Sequence, residues 1–169
     1  MKISEKIFLM KIRIGAGYDI HRVGKGRKLV IGCTEIPFPY GLVGHSDADV
    51  LAHAIADSIF GALGLPDIGQ QFPDDVSWTK DLDSKIILQH AAEQISQHGY
   101  SISNIDSVII AQRPKLAEYI SVMQLSIADI LKVSHNAIGI KTKTNEGICA
   151  IGSGKAIAAI SNCLLVERL

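Results

Sequence analysis

The chain has 169 residues with 17 basic and 17 acidic side chains, so its formal net charge is zero and no electrostatic footprint marks it for nucleic acid or an anionic membrane. The length suits one domain with a proper core, while 47% hydrophobic residues and a mean hydropathy of +0.24 are high for a monomer of this size and predict a buried subunit interface. Cys33, Cys149 and Cys163 lie too far apart for a zinc ribbon or a C-x-x-C pair, and no apolar run approaches the ~20 residues that span a bilayer, so a reduced cytoplasmic protein is expected.

Residues 1–10 read as an N-terminal extension and residues 11–169 as a single domain. Ile12, Ile14 and Ala16 alternate as in a strand, and the same period of two puts Asp19 and His21 on one face, where they can grip one ion. A Gly- and Lys-rich loop is expected over residues 22–28. Leu29-Val30-Ile31-Gly32 and Glu35-Ile36-Pro37 then suggest a small hairpin, and Gly41 and Gly44 loosen the chain so that His45 can approach a ligand.

His45, Asp49, His53 and Asp57 recur every four residues, which draws one polar stripe along a helix whose other side is Val50, Leu51, Ala54, Ile55, Ser58 and Ile59. Ser46 or Asp47 is placed to cap this helix, and Gly64 and Pro66 to stop it. A solvated helix face has the same stripe. Only six histidines occur in the chain, however, and His53 would complete an Asp/His/His set with Asp19 and His21. Three protein ligands with one tetrahedral position left over distinguish catalytic from structural zinc. Asp49, one turn from His45 and His53, is placed to orient an imidazole.

The connection over residues 67–80 is polar, irregular and long against ordinary loops of about 4–6 residues, and its paired acids and single tryptophan suit a binding loop. Ile86, Ile87, Ala91 and Ile95 predict an amphipathic helix that Gly99 ends, and residues 100–111 a strand, which implies a βαβ-type crossover. Pro114 is placed in the first turn of a third helix carrying Leu116, Ile120, Met123, Ile127 and Ile130. Residues 138–147 begin as a strand and end in Thr144, Asn145, Glu146 and Gly147, a group with donors for phosphate oxygens and a hard oxygen for a magnesium-like cation, or else a turn of ordinary turn formers. Residues 156–166 are nearly all apolar, as in a strand buried on both faces.

Gly17-Tyr18-Asp19-Ile20-His21, His45-Ser46-Asp47-Ala48-Asp49-Val50 with His53, Asp67-Ile68-Gly69, Phe72-Pro73-Asp74, Pro114-Lys115 and Lys143-Thr144-Asn145-Glu146-Gly147 together resemble the 2-C-methyl-D-erythritol 2,4-cyclodiphosphate synthases, in order and spacing, from about residue 12 to the end. The resemblance implies an α+β fold, a two-layer α/β sandwich with a mixed sheet and a small extra hairpin, assembled as a homotrimer with sheets packed toward the centre and active sites between subunits. It implies a nucleotide diphosphate substrate, 4-diphosphocytidyl-2-C-methyl-D-erythritol 2-phosphate, closed to the cyclic diphosphate with release of CMP in the non-mevalonate isoprenoid pathway.

By the same resemblance Asp19, His21 and His53 are zinc ligands, and Glu146 holds a second cation, magnesium or manganese. His45 and Thr144 steady the reacting phosphates. Ser46 and the stretch Asp67, Ile68, Gly69, Phe72, Pro73, Asp74, Asp75 and Val76 hold the erythritol part. Ala111-Gln112-Arg113-Pro114-Lys115-Leu116-Ala117 come from the adjacent subunit and enclose the cytidine, with Lys143, Asn145, Ala150 and Ser153 among the substrate contacts. The chain departs from the family pattern at Cys149, where a glycine is usual, and at Gly152-Ser153-Gly154-Lys155, where Gly-Arg-Gly-Glu is usual. Lysine is a point charge and does not replace a bidentate arginine fork. Two other readings of the same residues are a zinc-dependent phosphohydrolase and a non-enzymatic trimeric protein that binds an isoprenoid diphosphate.

Overall fold

The apolar-periodic stretches become a mixed sheet with helices against one face. The computed structural model describes residues 11–168 except Asp74; the expected extension over residues 1–10 and the predicted contact Asp74 lie outside the described residues. Strand β1 (Ile12–Gly24) pairs antiparallel with β7 (Ala156–Glu167), which pairs antiparallel with β5 (Tyr100–Ile110), which runs parallel to β6 (Ile138–Lys143). A short β4 (Gly41–Val43) closes the other edge, giving the order β4-β1-β7-β5-β6, and β2 (Leu29–Ile31) with β3 (Thr34–Ile36) make the separate two-stranded hairpin. This is the expected α+β fold with its mixed sheet and small hairpin.

The helices are α1 (Val50–Leu63), the short α2 (Ile68–Gln71), α3 (Ser84–Gln97), α4 (Ile120–Leu131) and the short α5 (Cys149–Gly152). No helix of the described residues is long and apolar enough to cross a membrane. Helix α1 lies against β1 and β7 so closely that Gly15 and Gly17 leave no room for side chains: a Cβ on Gly15 would stand 1.8 Å from the Ser58 carbonyl oxygen. Almost all of α1 is buried in consequence, His53 included, and the sheet's other face carries the opposite parity of β1, Ile12, Ile14, Tyr18 and Ile20, all exposed.

Several local expectations are corrected. The loop placed over residues 22–28 starts later, because β1 runs on to Gly24 and pairs Arg22, Val23 and Gly24 with Val43, Leu42 and Gly41. Those glycine-flanked residues are therefore strand, not a loosened segment, and buried Leu42 fixes them. Strand β7 is buried throughout only over residues 156–159; Ile160 and Asn162 are exposed, so the outer face is open in the single chain. Pro114 lies outside α4, after a cis Arg113–Pro114 bond, and the buried 3.6-residue spacing of Met123, Ile127 and Leu131 belongs to a helix that begins at Ile120.

Helix α1 likewise begins later than expected, with Asp49 as its N-cap in place of Ser46 or Asp47. Asp49 Oδ1 accepts from the backbone N–H groups of Leu51 and Ala52, both at 3.1 Å, and also from Gly32 at 2.8 Å, while Oδ2 accepts from Cys33 at 2.6 Å. Four donors on one buried carboxylate, two from the β2–β3 turn, decide the helix start. His45 therefore stands outside the helix, and Asp49 orients backbone where an imidazole partner was expected. Burial pushes the Asp49 carboxyl up, against the pull of those backbone donors.

Candidate metal centre and its two flanking pockets

The glycine-lined contact between β1 and α1 brings three ligand-bearing side chains together. Asp19 Oδ2 lies 2.9 Å from His53 Nδ1 and 3.0 Å from His21 Nε2, and the two nitrogens are 3.3 Å apart. A tetrahedral zinc with bonds of about 2.0 Å sets its ligand atoms about 3.3 Å from one another. Asp19, His21 and His53 thus fit a single zinc-sized ion with little movement, and they form the group of metal-capable side chains found among the described residues.

Each imidazole has its outer nitrogen engaged. His21 Nδ1 stands 3.2 Å from the Val43 carbonyl oxygen, which can only accept, so in the neutral ring Nδ1 carries the hydrogen and Nε2 offers its lone pair to the centre. Burial opposes ionisation of Asp19, but hydrogen bonds and charge from His21 and His53 outweigh it and hold its carboxyl well below the ordinary range. Burial likewise pushes the His53 imidazole down, and Asp19 more than offsets this, so His53 is raised.

The centre opens into a cleft of about 190 Å³ lined by His45, Ser46, Ile68, Gly69, Phe72, Thr79, Leu82 and Ile87 as well as the three ligands. Asp67 caps α2 by accepting from the Gln70 N–H at 2.9 Å, and Asp57 accepts from the Ile68 N–H at 2.8 Å, which fixes the start of the predicted binding loop beside Asp19, His21 and His53. Burial raises the Asp57 carboxyl. Pro73 gives its carbonyl to Thr79, and Asp75 and Val76 sit in the turn beyond. That turn tightens into a helical turn over Ser77–Thr79.

Thr79 gives its hydroxyl hydrogen to the Pro73 or Val76 carbonyl, each at 2.7 Å, so toward His45 Nε2 at 3.1 Å it accepts, and the other ring nitrogen of His45 is left for a ligand. The His45–Ser46 segment is clasped by Arg27, whose guanidinium donates to the Gly44 carbonyl at 2.9 Å and to that of Ser46. Thr79, Arg27 and Ser84 escaped sequence reasoning, and Asp47 was legible only as a candidate helix cap. Each acts across a long separation, and the one local signal was Asp83-Ser84 at a helix start, a capping pair without visible chemistry.

The remaining predicted residues gather elsewhere. Ala111, Gln112, Pro114, Lys115, Leu116 and Ala117 line a second cavity of about 170 Å³ with Thr142, Lys143 and Thr144, at the C-terminal ends of β5 and β6; Arg113, beside them, is exposed. Gln112 Oε1 is buried there without a hydrogen-bond partner among the described residues. Thr144 donates to Glu146 Oε1, and Asn145 Nδ2 donates to the Ile148 carbonyl at 3.0 Å. Ala150 accepts from the Ser153 hydroxyl at 3.1 Å. Glu146 does not join the Asp19, His21 and His53 group.

Both pockets lie at the same end of the sheet, since His21 on β1 and Ile110 on β5 pair with Ile157 and Ala158 at the start of β7. One chain therefore presents two pockets on opposite sides of a central strand.

Comparison with known proteins places the chain among relatives along nearly its whole length. The YgbB family model matches residues 12–166. A 2-C-methyl-D-erythritol 2,4-cyclodiphosphate synthase from Clostridioides difficile is 51% identical over 155 residues, covering 92% of this chain and 96% of the relative. One from Chlorobium phaeobacteroides is 46% identical over 157 residues, covering 93% and 99%. Among solved structures, the IspF of Plasmodium falciparum in a CDP complex superposes with a TM-score of 0.83 at 37% identity, covering 94% of this chain and 97% of that one.

Proposed function

The chain belongs to the YgbB family, and on that premise we propose that it converts 4-diphosphocytidyl-2-C-methyl-D-erythritol 2-phosphate to 2-C-methyl-D-erythritol 2,4-cyclodiphosphate with release of CMP, in isoprenoid biosynthesis. The observation that carries this reading is the convergence of Asp19 Oδ2, His21 Nε2 and His53 Nδ1 at the floor of a cleft whose other walls are His45, Ser46 and the loop after Asp67. When bound, zinc at that triad supplies Lewis-acid charge to phosphate oxygens, and magnesium or manganese held by Glu146 neutralises further phosphate charge.

The reaction is an attack by the substrate's own 2-phosphate oxygen on the β-phosphorus; the bond to the CMP oxygen breaks and CMP takes the electron pair. No protein nucleophile is needed. The chain's work is positioning and exclusion of water. His45, its Nε2 fixed on Thr79, presents Nδ1 toward the phosphates, and Thr144 holds them from the other side. Asp67, Ile68, Gly69, Phe72 and the residues to Val76 close over the methylerythritol, with Ser46 beside it. On the nucleotide side the residues from Ala111 to Ala117, with Lys143 and Asn145, enclose cytidine, and the unpartnered Gln112 Oε1 is an acceptor for a base N–H.

Two pockets that one chain keeps apart become one site when a neighbouring copy brings its nucleotide half to this copy's metal half. The exposed apolar outer face, with Ile14 at 73% exposure beside Ile12, Tyr18, Ile20 and Ile160, supports a homotrimer assembled through the sheets. Three free cysteines support a reducing, cytoplasmic location.

A phosphorus NMR time course with the diphosphocytidyl substrate and magnesium, run beside His53→Ala, tests the reading. Equimolar cyclic diphosphate and CMP, lost in the variant, is the expected result. CMP without a cyclic product would make the protein a hydrolase, and unchanged substrate beside bound zinc would make it a binding protein.

A further inference from the structure

An imidazole has two nitrogens, and only Nδ1 of His53 faces Asp19 and His21. Its Nε2 points the opposite way, 3.0 Å from Ser84 Oγ and 3.2 Å from Ser46 Oγ. Ser84 is the first residue of α3 and is fully buried. Its backbone N–H donates to Asp47 Oδ2 at 3.0 Å, and its hydroxyl donates to Asp47 Oδ1.

A hydroxyl has one hydrogen. With that hydrogen given to a carboxylate, which only accepts, Ser84 Oγ can meet His53 Nε2 only as an acceptor. Nε2 therefore carries a ring hydrogen, so the nitrogen that can give its lone pair to a bound ion is Nδ1, toward Asp19 and His21. Ser46 fixes no such direction, because its Oγ accepts from the Ala48 N–H at 3.1 Å and its own hydrogen is uncommitted.

We propose that Ser84, oriented by Asp47, is a positioning residue for metal ligation: it fixes the tautomer and ring plane of His53 and so sets the affinity of the centre. The inference rests on the metal reading given above. It also links two parts of the protein. Asp47 donates its backbone N–H to the Leu82 carbonyl at 3.1 Å, so the carboxylate that directs Ser84 is tied to the end of the binding loop. Partners of this kind behind a ligating histidine are worth about 10–100-fold in metal affinity.

The test is a cobalt titration of metal-free protein, with zinc competition, on the unsubstituted chain and Ser84→Ala. Nitrogen-15 NMR of the histidine rings in the unsubstituted zinc-loaded protein accompanies it and needs no variant. The expected result is cobalt affinity lower by about 10–100-fold in Ser84→Ala, and a His53 spectrum with hydrogen on Nε2 and zinc on Nδ1. Affinity within about twofold of the unsubstituted protein, or zinc on Nε2, overturns the inference while leaving the metal reading in place. Failure of the unsubstituted chain to bind either metal overturns both.

Discussion

A Cβ placed on Gly17 would stand 2.1 Å from the carbonyl oxygen of Ala54, so the strand that carries Asp19 and the helix that carries His53 touch backbone to backbone. Only glycine permits that approach. Gly17→Ala must push α1 off β1, at a cost of about 1–3 kcal/mol from overpacking. Because Ala54 adjoins His53 and Gly17 lies two residues before Asp19, cobalt affinity should fall with stability. Denaturant unfolding and metal titration check the two together, and loss of stability without loss of affinity would mean that this spacing does not set the centre.

Asp49→Asn distinguishes a carboxylate from its shape. An amide keeps one oxygen for Gly32, Leu51 and Ala52 but turns an NH2 toward the Cys33 N–H, so two donors face each other in a buried place. The cost should be about 1–3 kcal/mol, and Asp49→Ala, which removes the cap as well, should cost more. Urea midpoints in that order support the account; an asparagine variant as stable as the parent contradicts it.

The Asp19 and His53 shifts make opposite statements about pH in the metal-free protein. The Asp19 carboxyl is held below its ordinary 3.8, so its stabilisation is present above that value and is lost as pH falls through the depressed one. The His53 imidazole is raised above 6.5, so its stabilisation is present below that value and is lost as pH rises through the raised one. Asp19→Asn should therefore lower Tm most between these two values, by about 2–4 °C if the pair contributes about 1 kcal/mol, and less in alkali. Melting curves with a chelator across that range measure it, and a pH-independent difference argues against an Asp19–His53 ion pair.

Subunit mixing tests the divided site. His53→Ala disables the metal half, and Glu146→Gln disables the other. If each complete site takes one half from each of two copies, randomly co-assembled variants should regain about a quarter of parental activity. If each chain carries a whole site, the mixture stays inactive.

Legibility followed sequence distance. The two-residue period fixes Asp19 beside His21, and helical spacing places His53 on the helix that packs against them, so the convergence of these three side chains is legible in the order of residues alone. The sequence offers Ser46 and Asp47 as caps, and hydrogen bonds from Gly32 and Cys33, remote in sequence, give the place to Asp49 instead. The three-residue β4 is too short to show a period, and its place rests on pairing with β1. Ser84 reaches His53 across 31 positions, through contacts that no local pattern encodes. Cys149 holds a φ of 59°, in the left-handed region that glycine enters at no steric cost, and no local pattern announces it.

The loop between Asp67 and Asp83 is rooted at both ends. At its start Ile68 is tied to Asp57, and at its finish Asp81 donates to the His45 carbonyl at 2.8 Å while Leu82 accepts from Asp47. Among the described residues of its middle, from Phe72 to Trp78, none hydrogen-bonds Asp19, His21 or His53. Changes in that middle can reshape what the cleft admits while Asp19, His21 and His53 stay in register, whereas changes at either root travel straight to them. Selection on substrate shape and selection on metal retention thus act on separate residues of one loop, and a library confined to the middle is where altered substrate acceptance should be sought.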